Sequence, residues 1–170
     1  MTLHWVPAAD RPDLLAEPVA RAAAEVGGVL VAEIDPELAD TAAFCERYGV
    51  TLDESANCVV VAAKRGGEVR YAACMVLATM RVDVNGVVRK HLDARKASFA
   101  PMAEAVELTG MEYGGITPLG LPDGWPILVD VNVAEHPRVV IGAGVRGAKL
   151  AVSGTALTGL KHAEVLPLAG

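Results

Sequence analysis

The spacing of apolar positions along the chain changes character near residue 57. Before that point it is mainly helical. Asp10-Arg-Pro-Asp13 offers helix-capping residues, and Leu14, Leu15, Val19, Ala22, Ala23 and Val26 then mark one stripe that stops at Gly27-Gly28. Pro18 kinks that helix or resets its start, because proline brings no N–H to the helix ladder. Val29–Ile34 reads as a strand. Asp35-Pro36 opens a second helix, running to Tyr48 and ending at Gly49.

From Asn57 the runs become strand-like. Cys58–Ala63 is continuously apolar, Lys64-Arg-Gly-Gly67 is a turn, and Glu68–Ala78 is a second run, together a hairpin signal. Residues 83–92 read as helical and Lys96–Phe99 as a short strand. Pro101 starts a helix that stops at Gly110. Residues 110–124 hold too many Gly and Pro for regular structure. Beyond them come strands at Ile127–Val131, Arg138–Gly142 and Ala148–Val152, a short helix at Thr155–Leu160 and a last strand at Ala163–Leu166. Without repeat, linker or low-complexity tract, residues 1–170 read as a single mixed α/β domain.

Composition sets limits on this picture. Of the residues, 52% are hydrophobic and 4% aromatic, so the core is built from Ala, Val, Leu and Ile. So few aromatics argue against a single-strand binder built on stacking platforms. A charged fraction of 21% excludes a disordered chain. The formal charge of −6 argues against a general nucleic-acid binder, but it is unevenly spread. Residues 1–57 carry three Arg against eleven Asp and Glu, whereas 81–96 carry five bases (Arg81, Arg89, Lys90, Arg95, Lys96) against Asp83 and Asp93. A solvated face is the ordinary reading of such a basic run.

Three cysteines without C-x-x-C spacing and four scattered histidines give neither a disulfide framework nor a metal site. No leader-like start and no membrane-length apolar stretch point to a cytoplasmic protein. Cys58 and Cys74 sit in apolar runs and read as packing residues. Two segments could carry chemistry. Gly114-Gly115-Ile116-Thr117-Pro118 is either a structural crossing loop, which composition favours, or a turn whose N–H groups hold an oxyanion or phosphate. Gly142-Ala-Gly-Val-Arg-Gly147 is a plain β-turn or a turn aiming the Arg146 fork at an anion.

Several motifs in order resemble the YbaK/EbsC family of aminoacyl-tRNA deacylase domains. They are Val59–Ala62, Cys74–Ala78, Val82-Asp-Val-Asn85, Lys96–Ala100, Leu108-Thr-Gly110, Gly114-Gly-Ile-Thr-Pro-Leu-Gly120 and Gly144-Val-Arg-Gly147. The likeness covers about residues 53–160, leaving the acidic helix–strand–helix part, 1–52, mostly outside it. It implies a mixed, largely antiparallel sheet curled into a barrel-like core with helices around it. It also implies hydrolysis of the ester of mischarged tRNA. The partners would be the acceptor end of aminoacyl-tRNA and a prolyl-tRNA synthetase. On this resemblance no metal or organic cofactor is used, and the substrate's own ribose hydroxyl helps the attack. Gly114, Gly115 and Ile116 would hold the oxyanion, with Thr117, Pro118, Gly142, Gly144 and Arg146 around the substrate.

One departure bears on activity. Asn57 stands where active relatives carry a lysine before the first core strand, and Asn brings no positive charge. Gly142-Ala143-Gly144 also replaces the Ser-Gly-Gly of many relatives. Arg146 is the better candidate to restore the missing charge; Lys64 stands seven positions along the strand from Asn57. The alternative to a deacylase is a module that binds tRNA ends or an aminoacyl ligand with little or no turnover.

Overall fold

A computed structural model describes residues 2–169. In chain order the elements are β1 (Val6–Pro7), α1 (Glu17–Val26), β2 (Leu30–Glu33), α2 (Thr41–Tyr48), β3 (Ala56–Arg65) and β4 (Glu68–Leu77). A π turn (Val84–Val88) then runs into the single helical turn α3 (Arg89–His91), followed by β5 (Lys96–Phe99) and α4 (Met102–Thr109). The rest are β6 (Ile127–Asp130), α5 (Val131–Ala134), β7 (Val139–Gly142), β8 (Ala148–Val152), α6 (Gly154–Thr158) and β9 (Ala163–Leu166).

The strands form two sheets. One has the order β1-β2-β8-β7 and is antiparallel throughout. The other has the order β5-β3-β4-β6-β9, antiparallel around β3 and parallel from β4 to β9. The acidic N-terminal part is therefore no appendage: β2 pairs directly with β8. The expectation of a barrel-like core is corrected here. Among the described residues the sheets are joined by the isolated bridge Ser55–Val140, and neither sheet closes on itself. Closure needs a continuous staggered ladder, which a single bridge does not supply.

Small side chains allow the close layers. Ala62, Ala63, Ala72 and Ala73 are all buried on the β3–β4 hairpin, as are Val61, Met75 and Val76 of the same strands. One core lies under α1 (Val19, Met75, Met111, Leu119, Leu150), and a second lies under the π turn (Val88, Leu92, Leu128, Leu168). The third lies under α2 (Ile34, Ala39, Phe44, Val140).

Several predicted elements shift for identifiable reasons. The first helix starts at Glu17, with Pro18 in its opening turn, and Pro12–Leu14 is a separate 3₁₀ turn. The second is split: a 3₁₀ turn at Pro36–Leu38, capped by Asp35, ends before α2 begins at Thr41. The break leaves the Ala39 carbonyl free to accept from Lys149 Nζ at 2.8 Å. Residues 84–88 form a π turn because Val88 N–H reaches back five residues to the Asp83 carbonyl. The strand from Ile127 ends at Asp130, whose buried carboxylate caps α5 and accepts from Leu168 and Ala169 N–H.

Candidate active site

Between the two sheets, beneath α2, lies a cavity of about 500 Å³. β3 supplies Asn57, Cys58 and Val60, and β7 supplies Val140, Ile141 and Gly142. Lys149 enters from β8, and Asp40, Thr41 and Phe44 enter from α2 and its N-cap. Tyr113, Gly114 and Ile116 close one side, with Phe99 and Met102 at the rim.

Two glycine turns cross backbone to backbone to form that side. Gly144 N–H donates to the Gly115 carbonyl (2.7 Å), and Glu112 N–H donates to the Gly144 carbonyl (2.9 Å). A Cβ on Gly142 would lie 2.6 Å from the Gly115 oxygen, and one on Gly115 would lie 2.7 Å from the Val145 oxygen. Neither position has room for a side chain. Gly115 N–H is spent on the Glu112 carbonyl (2.9 Å), whereas Gly114 and Ile116 N–H donate to no acceptor among the described residues.

The structure thus brings Asn57, Gly114, Ile116 and Gly142 to one cavity. Gly115 lies behind its wall. Thr117 and Pro118 are buried beneath the loop; Thr117 N–H meets Met111 Sδ at 3.5 Å, and its Oγ1 has no partner among the described residues. Gly144 packs on α1, where a Cβ would meet Ala16 and Val19. Arg146 does not line the cavity. Its guanidinium donates to the Pro36 and Tyr113 carbonyls (3.2 and 3.0 Å) and lies 3.7 Å from Asp40 Oδ1, so it clasps the loop to the α2 entry.

Lys149 escaped sequence reasoning. It is 7% exposed, donates to Ala39, and has its ammonium 5.2 Å from the Phe44 ring centroid. Burial lowers its pKa to about 8, with nearby Arg146 acting in the same direction and Cys45 and Asp40 opposing. The only signal was one cation inside the apolar run Ala148–Val152. Asn57 Oδ1 accepts from Thr41 Oγ1 at 2.8 Å, which fixes the amide toward α2. Burial pushes the Cys58 thiol up and raises Cys74 to about 12, so neither is a thiolate nucleophile at neutral pH.

Residues 35–160 match the aminoacyl-tRNA editing domain family. The chain belongs to that family. The fold is shared with solved structures: a candidate trans-editing enzyme for prolyl-tRNA synthetase has a TM-score of 0.77 and 21% identity over 97% of this chain and 98% of that one. A hypothetical protein gives 0.79 and 23% over 90% and 99%. A structure from work on epitope grafting onto scaffold proteins gives 0.77 and 20% over 96% and 98%. The family match starts at Asp35, so this editing domain includes the Ala39–Phe44 wall that the motif resemblance left outside. Among its described residues no helix is long and apolar enough to cross a membrane.

Proposed function

We propose that this editing domain hydrolyses the ester of a mischarged tRNA, with the acyl group held in the cavity between the sheets. The observation that carries this reading is the pair of unspent N–H groups, Gly114 and Ile116, on residues that line the cavity. Water adds to the ester carbonyl carbon, and the carbonyl oxygen takes up negative charge. Donors fixed in advance by the glycine crossing stabilise that charge without reorganising. Collapse of the intermediate expels the ribose oxygen, which takes the proton the water gives up. The neighbouring ribose hydroxyl aligns the water. Lys149 adds positive potential from a low-dielectric wall, in place of a cation at Asn57.

The fixed Asn57 amide supports a second reading, in which the domain binds the aminoacyl end with little turnover. Both are tested with a panel of mischarged tRNAs at micromolar protein. The deacylase reading expects amino-acid release above the spontaneous rate for at least one of them. No release from any, with hydrolysis gained in Asn57→Lys, would mean an otherwise intact site whose turnover the missing lysine attenuates, as the second reading expects. Release by the natural protein that depends on a prolyl-tRNA synthetase would make that synthetase the working partner.

A further inference from the structure

The edge strand β5 connects the mouth of the cavity to a basic surface that the hydrolytic site does not use. At one end, Phe99, Met102 and Tyr113 are half or more exposed around the cavity mouth. At the other, Lys96 pairs in register with Lys64 on β3. Two shallow depressions adjoin that end, and Arg65 and Arg95 line both of them. Arg89 and Lys90 from α3 complete the cluster; the acids beside it are Asp93, whose carboxylate accepts from Arg65, and Glu68. This is a local excess of cations in a chain of net charge −6. Arg95 N–H continues the ladder by donating to the Lys64 carbonyl. The four steps from Arg95 to Phe99, about 13 Å, are an even spacing that turns both side chains to one face, within reach of successive nucleotides of one strand.

We propose that β5 is the track for the unpaired end of the RNA, with a base stacked on the Phe99–Tyr113 rim and phosphates on the Arg95–Lys96 cluster. The orientation rests on the ester-hydrolase reading, which places the acyl end in the cavity. Exposed aromatic faces take bases of any sequence, and clustered cations take the backbone. The chain's scarcity of aromatics does not extend to this rim: two of its seven aromatic residues stand there.

The test is binding of uncharged tRNA by fluorescence anisotropy across a salt series, so it does not depend on turnover. Arg95→Ala with Lys96→Ala should weaken binding at least tenfold at low salt and lower the salt slope by about 1.4. The charge-matched pair Arg21→Ala with Lys161→Ala, on exposed positions elsewhere, should leave both nearly unchanged. Phe99→Ala should weaken binding about tenfold with the slope preserved. Equal weakening by the two charge pairs overturns the track, because it would report net charge alone; unchanged binding by Phe99→Ala overturns the stacking half. Hydrolysis of an aminoacyl-adenosine ester should survive Arg95→Ala with Lys96→Ala. Its absence in the natural protein sinks the hydrolase reading while the binding result still decides the track.

Discussion

Gly66–Gly67 and Gly114–Gly115 are both adjacent glycine pairs, yet their surroundings differ completely. At the hairpin tip both residues have positive φ (58° and 84°), and a Cβ on either would meet nothing within 4 Å. In the site loop, only Gly114 has positive φ (81°), and a Cβ there would lie 2.5 Å from an Arg146 guanidinium nitrogen. Gly115 has an ordinary φ and is glycine purely for lack of room against Val145. The hairpin pair satisfies a turn and leaves its surroundings alone. The loop pair lets two backbones touch, and that touch holds Gly114 and Ile116 in the cavity wall.

The sharpest way to break this contrast is to add one methyl group at the crossing. Gly115→Ala or Gly142→Ala forces the two turns apart and lengthens the Gly144 N–H bond to the Gly115 carbonyl. Overpacking of this kind costs about 1–3 kcal/mol. If Gly114 and Ile116 N–H act as proposed, displacing them by even ~1 Å lowers the rate on the order of a hundredfold. Urea unfolding and single-turnover deacylation should show both losses. A folded Gly115→Ala protein with unchanged turnover would detach the crossing from catalysis.

Next in size is Lys149, the buried cation beside the crossing. Its pKa is about 8 in the folded state against 10.5 for a lysine free in water, so between those values the unfolded chain binds more protons. Stability therefore rises as pH climbs from 8 to 10.5, and below 8 the full penalty of burying the charge is present. The shift corresponds to a difference on the order of 3 kcal/mol. Lys149→Met removes the titrating group. The stability difference between variant and natural protein should be constant below pH 8 and should move in favour of the natural protein from pH 8 to 10.5. Parallel curves over that range would show that Lys149 is not buried as a charge.

The glycine contrast also explains what the sequence could and could not reveal. The hairpin, the irregular 110–124 loop and the Gly142–Gly147 turn are local signals, carried by apolar runs and clustered glycines within a few residues. Lys149 and Ala39 are 110 residues apart, so the break before α2 and the cation it receives depend on sheet pairing that no window of sequence contains. Arg146 was visible as a cation beside a turn, but its target was not. Its donors go to carbonyls of the chain instead of into the cavity. The open sheets follow the same logic: each strand is readable alone, while closure depends on whether the edges meet.

The smallest expected effect comes from the hairpin pair, where a methyl group has space but the wrong backbone. Gly66→Ala puts an L side chain at φ 58°, in the left-handed region, and that conformation costs roughly 1–2 kcal/mol. Gly66→Asn should recover much of this loss, because Asn tolerates the left-handed region through local hydrogen bonding. Neither substitution should alter deacylation, since Asn57 lies at the opposite end of β3, about 30 Å of extended strand from Gly66. Thermal unfolding with single-turnover assays of both variants separates strain from function. Activity loss in Gly66→Ala with stability intact would mean that the two ends of β3 are coupled. Loss in Gly66→Asn equal to that in Gly66→Ala would mean that the tip is crowded after all, and the contrast between the two pairs would fail.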